Sequence, residues 1–346
     1  MLNFFYCDDK ILPLGQLPAT IIELGQNARL DTAAALRGTG IFLEDIARNE
    51  KQISSEQFLR LCQNMQRQDK RGDLALRFGR RLPYAISGDL LKAISNASHV
   101  VNLLEIIRNQ CRLYFPFVCL HLTHNRGFYA LVIADGCGLG TQAAFIKQSF
   151  LSSLVTLIKN YHLDSSSLSF LLEFDQPENN AQLATYLGSQ IQYNAPVTGL
   201  LIPTTLAQQP LSESSDLIRQ QSLRDCRHII RRLEGRYGFV ESLHRYMLRK
   251  IPKETVTLQS CCDAFRISPA TMKRRLKHHQ TNFQYELDQA KKLLALSYMV
   301  IDDMTNEAIA QKLGINDNAN FRRSFKRWTG LLPSTLRNQI TLREAL

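Results

Sequence analysis

The run Leu313 to Arg337, LGINDNANFRRSFKRWTGLLPSTLR, constrains this chain more than any other stretch. Phe321, Phe325 and Trp328 recur at i, i+4 and i+7, which places three large aromatics on one stripe of a helix. Ala319, Arg322, Arg323 and Lys326 recur at i, i+3, i+4 and i+7 on a different face. Asp317 stands where an N-cap belongs, able to accept from the first free N–H groups. The segment before it, Thr305 to Leu313 (TNEAIAQKL), has the pattern of a short helix, and Gly314 follows where a left-handed C-cap favours glycine. Helix, glycine turn, and a second helix carrying Arg and Asn make the outline of a helix-turn-helix reader. The plainer alternative is a solvated basic face on a core helix.

Charge distribution bears on that choice. From Phe239 to the end there are 18 Lys and Arg against 10 Asp and Glu, so this last third holds +8 of the formal +11. Positive charge concentrated in one region is the footprint of polyanion binding, whereas charge carried for solubility would be spread evenly. At 346 residues the chain is long enough for two domains, each with its own core. The longest apolar run, around Leu113 to Leu122, is too short to cross a bilayer and contains Pro116. The start, MLNFFYCDDK, has acids where a signal peptide carries basic residues. Eight cysteines form no C-x-x-C pair and suit a reducing compartment. A cytoplasmic protein with no membrane contact is expected.

Taken in order, the chain up to Leu113 shows helical spacing at Ala19–Gly25, Phe42–Ala47, Ser55–Gln68, Asp89–Ile94 and Val100–Leu113, with Ser54 and Ser55 as a start signal. The period then changes. Phe115–Thr123 and Gly127–Ile133 are rich in β-branched and aromatic residues around the turn composition His124-Asn125-Arg126-Gly127, which predicts a β-hairpin. A long helix is expected over Gln142–His162, a strand at Leu168–Phe174, a helix at Ala181–Leu187, and short strands at Ile191–Tyr193 and Thr198–Ile202. These elements make an α+β domain over residues 1–205, and residues 206–238 read as a helical linker or subunit contact. Residues 239–346 carry helices and turns without a strand pattern. Within them Ser268-Pro269, an N-cap followed by proline at the first helical position, opens a helix whose Met272 and Leu276 face inward while Ala270, Lys273, Arg274 and Lys277 face outward. The C-terminal domain is therefore all-α with two helix-turn-helix units, and two such readers suit successive major-groove segments of double-stranded DNA.

At these residues the chain resembles the AraC/XylS family of transcription regulators. The resemblance covers roughly Phe239 to Arg337 and is carried by Ile309-Ala310, Leu313-Gly314, Asn320-Phe321, Phe325-Lys326, Trp328-Thr329-Gly330, Pro333-Ser334 and Arg337. The N-terminal part is similar to the effector domain of the ornithine-utilisation and virulence-regulator branch, through Gly38–Ile41, the segment Ile53-Ser54-Ser55-Glu56-Gln57, and Pro196–Leu211. The resemblance implies an arabinose-binding-type domain that takes a small-molecule effector, a protein that often forms a homodimer, and action on RNA polymerase at a promoter. It also places the base-reading positions on Ala270, Lys273 and Arg274 in the first unit and on Asn318, Asn320, Arg322 and Arg323 in the second. Asparagine suits bidentate contact with adenine, and arginine or lysine suits guanine. Arg275, Lys277, Lys326 and Arg327 are then expected on phosphates. Two positions depart from the family pattern in the first unit: Arg266 stands where glycine is usual and Cys262 where alanine is usual. An arginine held at positive φ costs about 1 kcal/mol relative to glycine. Ile315 replaces the usual phenylalanine in the second unit.

No catalytic constellation emerges. There is no P-loop, no G-x-G-x-x-G and no H-E-x-x-H, and no cofactor or metal is expected. Cys119 and His121 would point to one side of a strand with His124 at the turn, a pattern of core packing in the absence of an adjacent carboxylate. His278 and His279 are read as surface or phosphate contacts. For the effector, Arg77, Arg80, Arg81 and Tyr84 form a basic cluster able to meet a carboxylate. The competing function is a DNA-binding regulator controlled by dimerisation or a protein partner, which an apolar cavity in residues 1–205 would distinguish from a ligand sensor.

Overall fold

The N-terminal end is tied down by short strands before the first helices begin. The computed structural model describes residues 4–344 except 49, 50, 87, 126, 178, 179, 212, 213, 234 and 236, so Arg126 of the expected turn lies outside the described residues. β1 (Phe4–Phe5) and β2 (Lys10–Pro13) lead into α1 (Leu17–Asn27), α2 (Thr32–Leu36) and α3 (Leu43–Arg48). β3 (Gln52–Ser54) pairs antiparallel with β2 and passes into α4 (Ser55–Gln68). There the Ser54 side chain accepts from Gln57 N and the Gln57 side chain accepts from Ser54 N, a capping box that satisfies two free N–H groups. α5 (Leu74–Ala85) follows, unexpected from sequence because three arginines and Pro83 interrupt its pattern. Its buried stripe, Leu74, Phe78 and Leu82, nevertheless recurs every four residues. α6 (Gly88–Ser95), α7 (Val100–Asn109) and α8 (Cys111–Tyr114) complete this layer, and the helix expected over Val100–Leu113 breaks at Gln110.

The hairpin read from the change of period is present. β4 (Val118–His124) and β5 (Phe128–Asp135) pair antiparallel, with His121 opposite Val132 and Thr123 opposite Ala130. After α9 (Ala143–Asn160) come β6 (Ser169–Leu171), α10 (Asn180–Leu187), β7 (Ile191–Gln192), β8 (Gly199–Pro203) and α11 (Thr204–Ala207). The sheet order is β4-β5-β8-β6-β7, mixed, with only the β6–β7 pair parallel. Alternation divides its two faces. Leu131, Ile133, Leu200 and Ile202 are buried in the N-terminal core, while Ala130, Val132 and Leu201 are half-buried on the opposite face.

α9 crosses α5 at unusually close range. A Cβ on Gly79 would lie 2.2 Å from the carbonyl oxygen of Ser149, and Ser152 Oγ donates to Leu76 O at 2.8 Å. Small residues let the two backbones approach, and the aromatic core forms beside them, with Phe58 stacked on Phe117 at 4.8 Å. α12 (Asp216–Arg232) packs against α6 and α8, and its Cys226 belongs to the N-terminal core. β9 (Tyr237–Gly238) then pairs in parallel with β1.

The C-terminal domain is all-α over its described residues. α13 (Phe239–Lys250) packs on α16 (Phe283–Val300); α14 (Leu258–Phe265) and α15 (Pro269–His278) form the first helix-turn-helix, and α17 (Asn306–Lys312) and α18 (Asn318–Thr329) the second. α19 (Pro333–Glu344) closes against α16 and α18. Met272, Leu276, Phe321 and Phe325 are fully buried, so each second helix is anchored by the stripe read from the sequence. Trp328 is half-buried against the same core. The chain is thus an α+β domain followed by an all-α domain with two helix-turn-helix units.

Candidate nucleic-acid interface

Both reader helices start as their residues dictate. Ser268 accepts from Thr271 N at 3.1 Å with Pro269 at the first position of α15, and Asp317 accepts from Asn320 N at 2.7 Å to open α18. Gly314 has φ 64°, as the turn of the second unit requires. At the corresponding turn of the first unit Arg266 has φ 55° and ψ 42°, so the departure from glycine does place an arginine in the left-handed region. The end of α14 is nonetheless satisfied, since Arg266 N and Ile267 N donate to the carbonyls of Asp263 and Cys262.

The expected base-reading residues fall on the outward faces. On α15, Ala270, Lys273 and Arg274 are exposed, with Lys277 beside them. On α18, Arg322 and Arg323 are exposed and Asn318 and Asn320 half-buried. Arg323 Nη2 donates to Asn320 Oδ1 at 2.7 Å, which holds the guanidinium and the amide as one unit. Lys326 is exposed, and Arg327 is tethered to Asp288 of α16 at 3.2 Å. Among the expected phosphate contacts Arg275 is placed differently. Its guanidinium lies over the Tyr6 ring at 3.8 Å and 3.7 Å from Asp8 Oδ2, against the N-terminal arm.

His279 corrects a sequence expectation. It is not a surface group: it is 1% exposed, and its Nδ1 lies 2.7 Å from the carbonyl oxygen of Cys137 in the N-terminal domain. A carbonyl only accepts, so Nδ1 carries the proton, and burial lowers the pKa of the imidazole and keeps it neutral. The approach is close enough that a Cβ on Gly138 would meet His279 O at 2.3 Å. The loop bearing Cys137 is itself rigid, because Asp135 accepts from the N–H groups of Cys137, Gly138 and Leu139. His278, by contrast, is exposed and lies 3.5 Å from Glu56. The C-terminal half of the first reader is therefore seated on the N-terminal domain through Arg275, His278 and His279. Adjacency in sequence hid this, because two neighbouring histidines point to different sides of a helix and nothing local says which side is covered.

A second bolt joins the domains at α16. Lys292 Nζ lies 3.1 Å from Glu173 Oε1, and Lys147 Nζ lies 2.5 Å from Glu173 Oε2. Burial alone would raise the Glu173 carboxyl, but the two ammonium groups hold it down at about 2. Lys292 is lowered in turn by its own burial, against the pull of Glu173.

In the N-terminal domain Arg77, Arg80, Arg81 and Tyr84 line one cavity of about 410 Å³ with Leu24. Arg77 is already paired, to Asp69 at 2.8 Å and Asp73 at 2.6 Å, and Arg80 lies over the Tyr186 ring. A more apolar cavity, of about 260 Å³, lies not within residues 1–205 but between the sheet and α16. All eight cysteines are buried, and burial raises each thiol, Cys7 and Cys261 to about 12 and Cys226 to about 11. Cys119 Sγ lies 3.4 Å from His121 Nε2, with His121 lowered to about 3 by burial and by His244, Arg245 and Arg108, so this pair is a neutral thiol beside a neutral imidazole. Cys7, Asp8 and His278 are the described trio whose donor atoms lie within 4.8 Å of one another, and Arg275 lies 3.7 Å from Asp8 there.

Two capped, core-anchored helix-turn-helix units with basic outward faces, set behind an α+β domain, define a DNA-binding transcription regulator. The chain belongs to the AraC family: the model of the arabinose-binding domain of AraC transcription regulators, N-terminal, matches residues 30–211, and a helix-turn-helix domain matches residues 261–339. It is 24% identical over 267 residues to the ornithine utilization regulator of Pseudomonas aeruginosa, spanning 76% of this chain and 78% of that one. It is 27% identical over 106 residues to the HTH-type transcriptional regulator VqsM of the same organism, spanning 31% and 33%. The crystal structure of the transcriptional regulator CdpR from Pseudomonas aeruginosa aligns over 92% of this chain and 97% of that one, at 14% identity and a TM-score of 0.42. No described helix is long and apolar enough to cross a membrane.

Proposed function

We propose that the protein recognises a specific promoter sequence with both reader helices and that a small-molecule effector acting on the N-terminal domain adjusts this binding. The observation that carries the DNA part is the exposure of Lys273, Arg274, Arg322 and Arg323 on helices whose opposite sides are fully buried. In this reading Ala270, Lys273 and Arg274 face one major-groove segment, and Asn318, Asn320, Arg322 and Arg323 the next. Lys277, Lys326 and Arg327 hold phosphates, joined by Arg275 once it leaves Tyr6. The match of residues 30–211 to an arabinose-binding-type domain supports effector sensing. Homodimerisation through α12 is supported by its exposed Leu217, Ile218 and Ile229, and the match to the AraC family supports action on RNA polymerase at the promoter.

The test is a mobility-shift series at several salt concentrations. Arg322→Ala or Arg323→Ala costs about 1–3 kcal/mol at the specific site and relaxes specificity there. Lys326→Ala weakens all DNA about equally and lowers the salt slope by about one. Unchanged specific binding in both arginine variants would remove α18 as the reader.

A further inference from the structure

Two cavities adjoin at β4, one on the face of the sheet that looks toward the C-terminal domain and one at the sheet's edge. The first is the apolar one. Its floor is His121, Thr123, Ala130, Val132 and Leu201, which the strand register puts on one sheet face. Its roof is α16, where Leu293, Ser297 and Val300 recur at i, i+4 and i+7. Its volume of about 260 Å³ is roughly nine times the share of one water in the liquid. Its walls offer a filling of waters few of the two to four polar partners each would need. The second cavity, about 310 Å³, lies beside β4, the terminal strand of the sheet, and is bounded by Arg108, Tyr237 and Arg245. His121 and Thr123 line both cavities.

The charges in the second cavity are unequal. Arg245 is satisfied, with Glu241 Oε1 at 2.8 Å and the Tyr237 ring at 4.1 Å. Arg108 is half-buried and makes no ion pair or side-chain hydrogen bond with another described residue. An apolar slot therefore opens beside one guanidinium that pairs with no carboxylate among the described residues, and a neutral imidazole sits where the two meet.

We propose that this junction is the effector site and that its ligand is an amphiphilic organic acid, with its apolar body between the sheet and α16 and its carboxylate at Arg108. It rests on the reading of the N-terminal domain as a sensor and gives that sensor a place and a ligand class. The location supplies the coupling. α16 joins the two helix-turn-helix units, so a ligand touching both the sheet and α16 binds only the docked arrangement and shifts the population toward it. An alkyl and an aryl acid share the required chemistry, and the experiment separates them.

The full chain is titrated with decanoate, 4-phenylbutyrate and 1-decanol, following both melting temperature and calorimetric binding. At least one acid raises the melting temperature and binds about tenfold or more tighter than the alcohol, the range for one charge-assisted hydrogen bond. Decanoate alone assigns an alkyl body and 4-phenylbutyrate alone an aryl one. Arg108→Gln removes the preference for the acid while binding of 1-decanol is kept. Ala130→Leu, which fills the floor, weakens acid and alcohol alike, and unliganded DNA binding by both variants shows that they fold. Absence of binding by both acids, equal affinity for acid and alcohol, or an Ala130→Leu variant that binds normally overturns the proposal. Binding that leaves DNA affinity unchanged supports the site and removes the sensor reading alone.

Discussion

Replacing Glu173 by glutamine tests how the two domains are held together. The wild-type carboxylate bridges Lys147 of the N-terminal domain and Lys292 of α16, at 2.5 and 3.1 Å. Its pKa falls from the ordinary 4.5 to about 2, and at 1.36 kcal/mol per unit this depression corresponds to about 3 kcal/mol at neutral pH. The side chain is 30% exposed, so solvent screening brings the expected loss in Glu173→Gln nearer 2 kcal/mol. The depressed carboxylate contributes its full stability above pH 4.5 and loses it as pH falls toward 2, a window the variant flattens. Lys292 opposes part of this gain because burying its ammonium is unfavourable, so Lys292→Met in the variant background relieves a stranded cation. The double-mutant cycle is read by urea unfolding with the fluorescence of Trp328, the chain's one tryptophan, which reports on the C-terminal domain. A coupling energy of about 1–2 kcal/mol is expected. Additivity within about 0.5 kcal/mol, together with an unchanged acid limb, would refute the bolt.

Arg266→Gly relieves the left-handed strain at φ 55° and raises stability by about 1 kcal/mol in thermal unfolding, with the first reader kept in place. Gly79→Ala forces α5 and α9 apart, because the new Cβ would lie 2.2 Å from Ser149 O; a loss of about 1–3 kcal/mol or more is expected in urea unfolding. His121 takes up a proton in the unfolded chain near 6.5 but in the folded protein only near 3, so stability falls as pH drops through that interval, by at most about 1.4 kcal/mol per pH unit. His121→Gln removes this dependence, and an acid limb that is the same in variant and wild type would show that other groups set it.

Several local features were legible because neighbours in sequence determine them. The caps at Ser54, Ser268 and Asp317, the glycine at 314, and the buried stripe Phe321–Phe325 all follow from spacing and side-chain chemistry within one helical turn. The same locality explains the misses. α5 stayed hidden because its arginines and Pro83 outweighed a regular apolar stripe, and the need for glycine at position 79 appears only once Ser149 lies beside it. The Arg77 cluster was expected to meet a carboxylate ligand, and within it Arg77 already pairs with Asp69 and Asp73, close by in sequence.

By itself the sequence determined that this chain has an α+β domain followed by two helix-turn-helix units with a basic face, since periodicity, caps and charge are properties of short segments. Only the tertiary structure decided what covers each face. It turned His279 inward to Cys137, drew Arg275 toward Tyr6 and Asp8, joined Lys292 to Glu173, and left an apolar space between the sheet and α16 beside Arg108. Each of these joins residues separated by more than a hundred positions, or encloses a space that no single segment contains. The physical reason is that burial and partner identity are properties of the packed pair of domains, and helical period fixes a residue's side without fixing what lies opposite it.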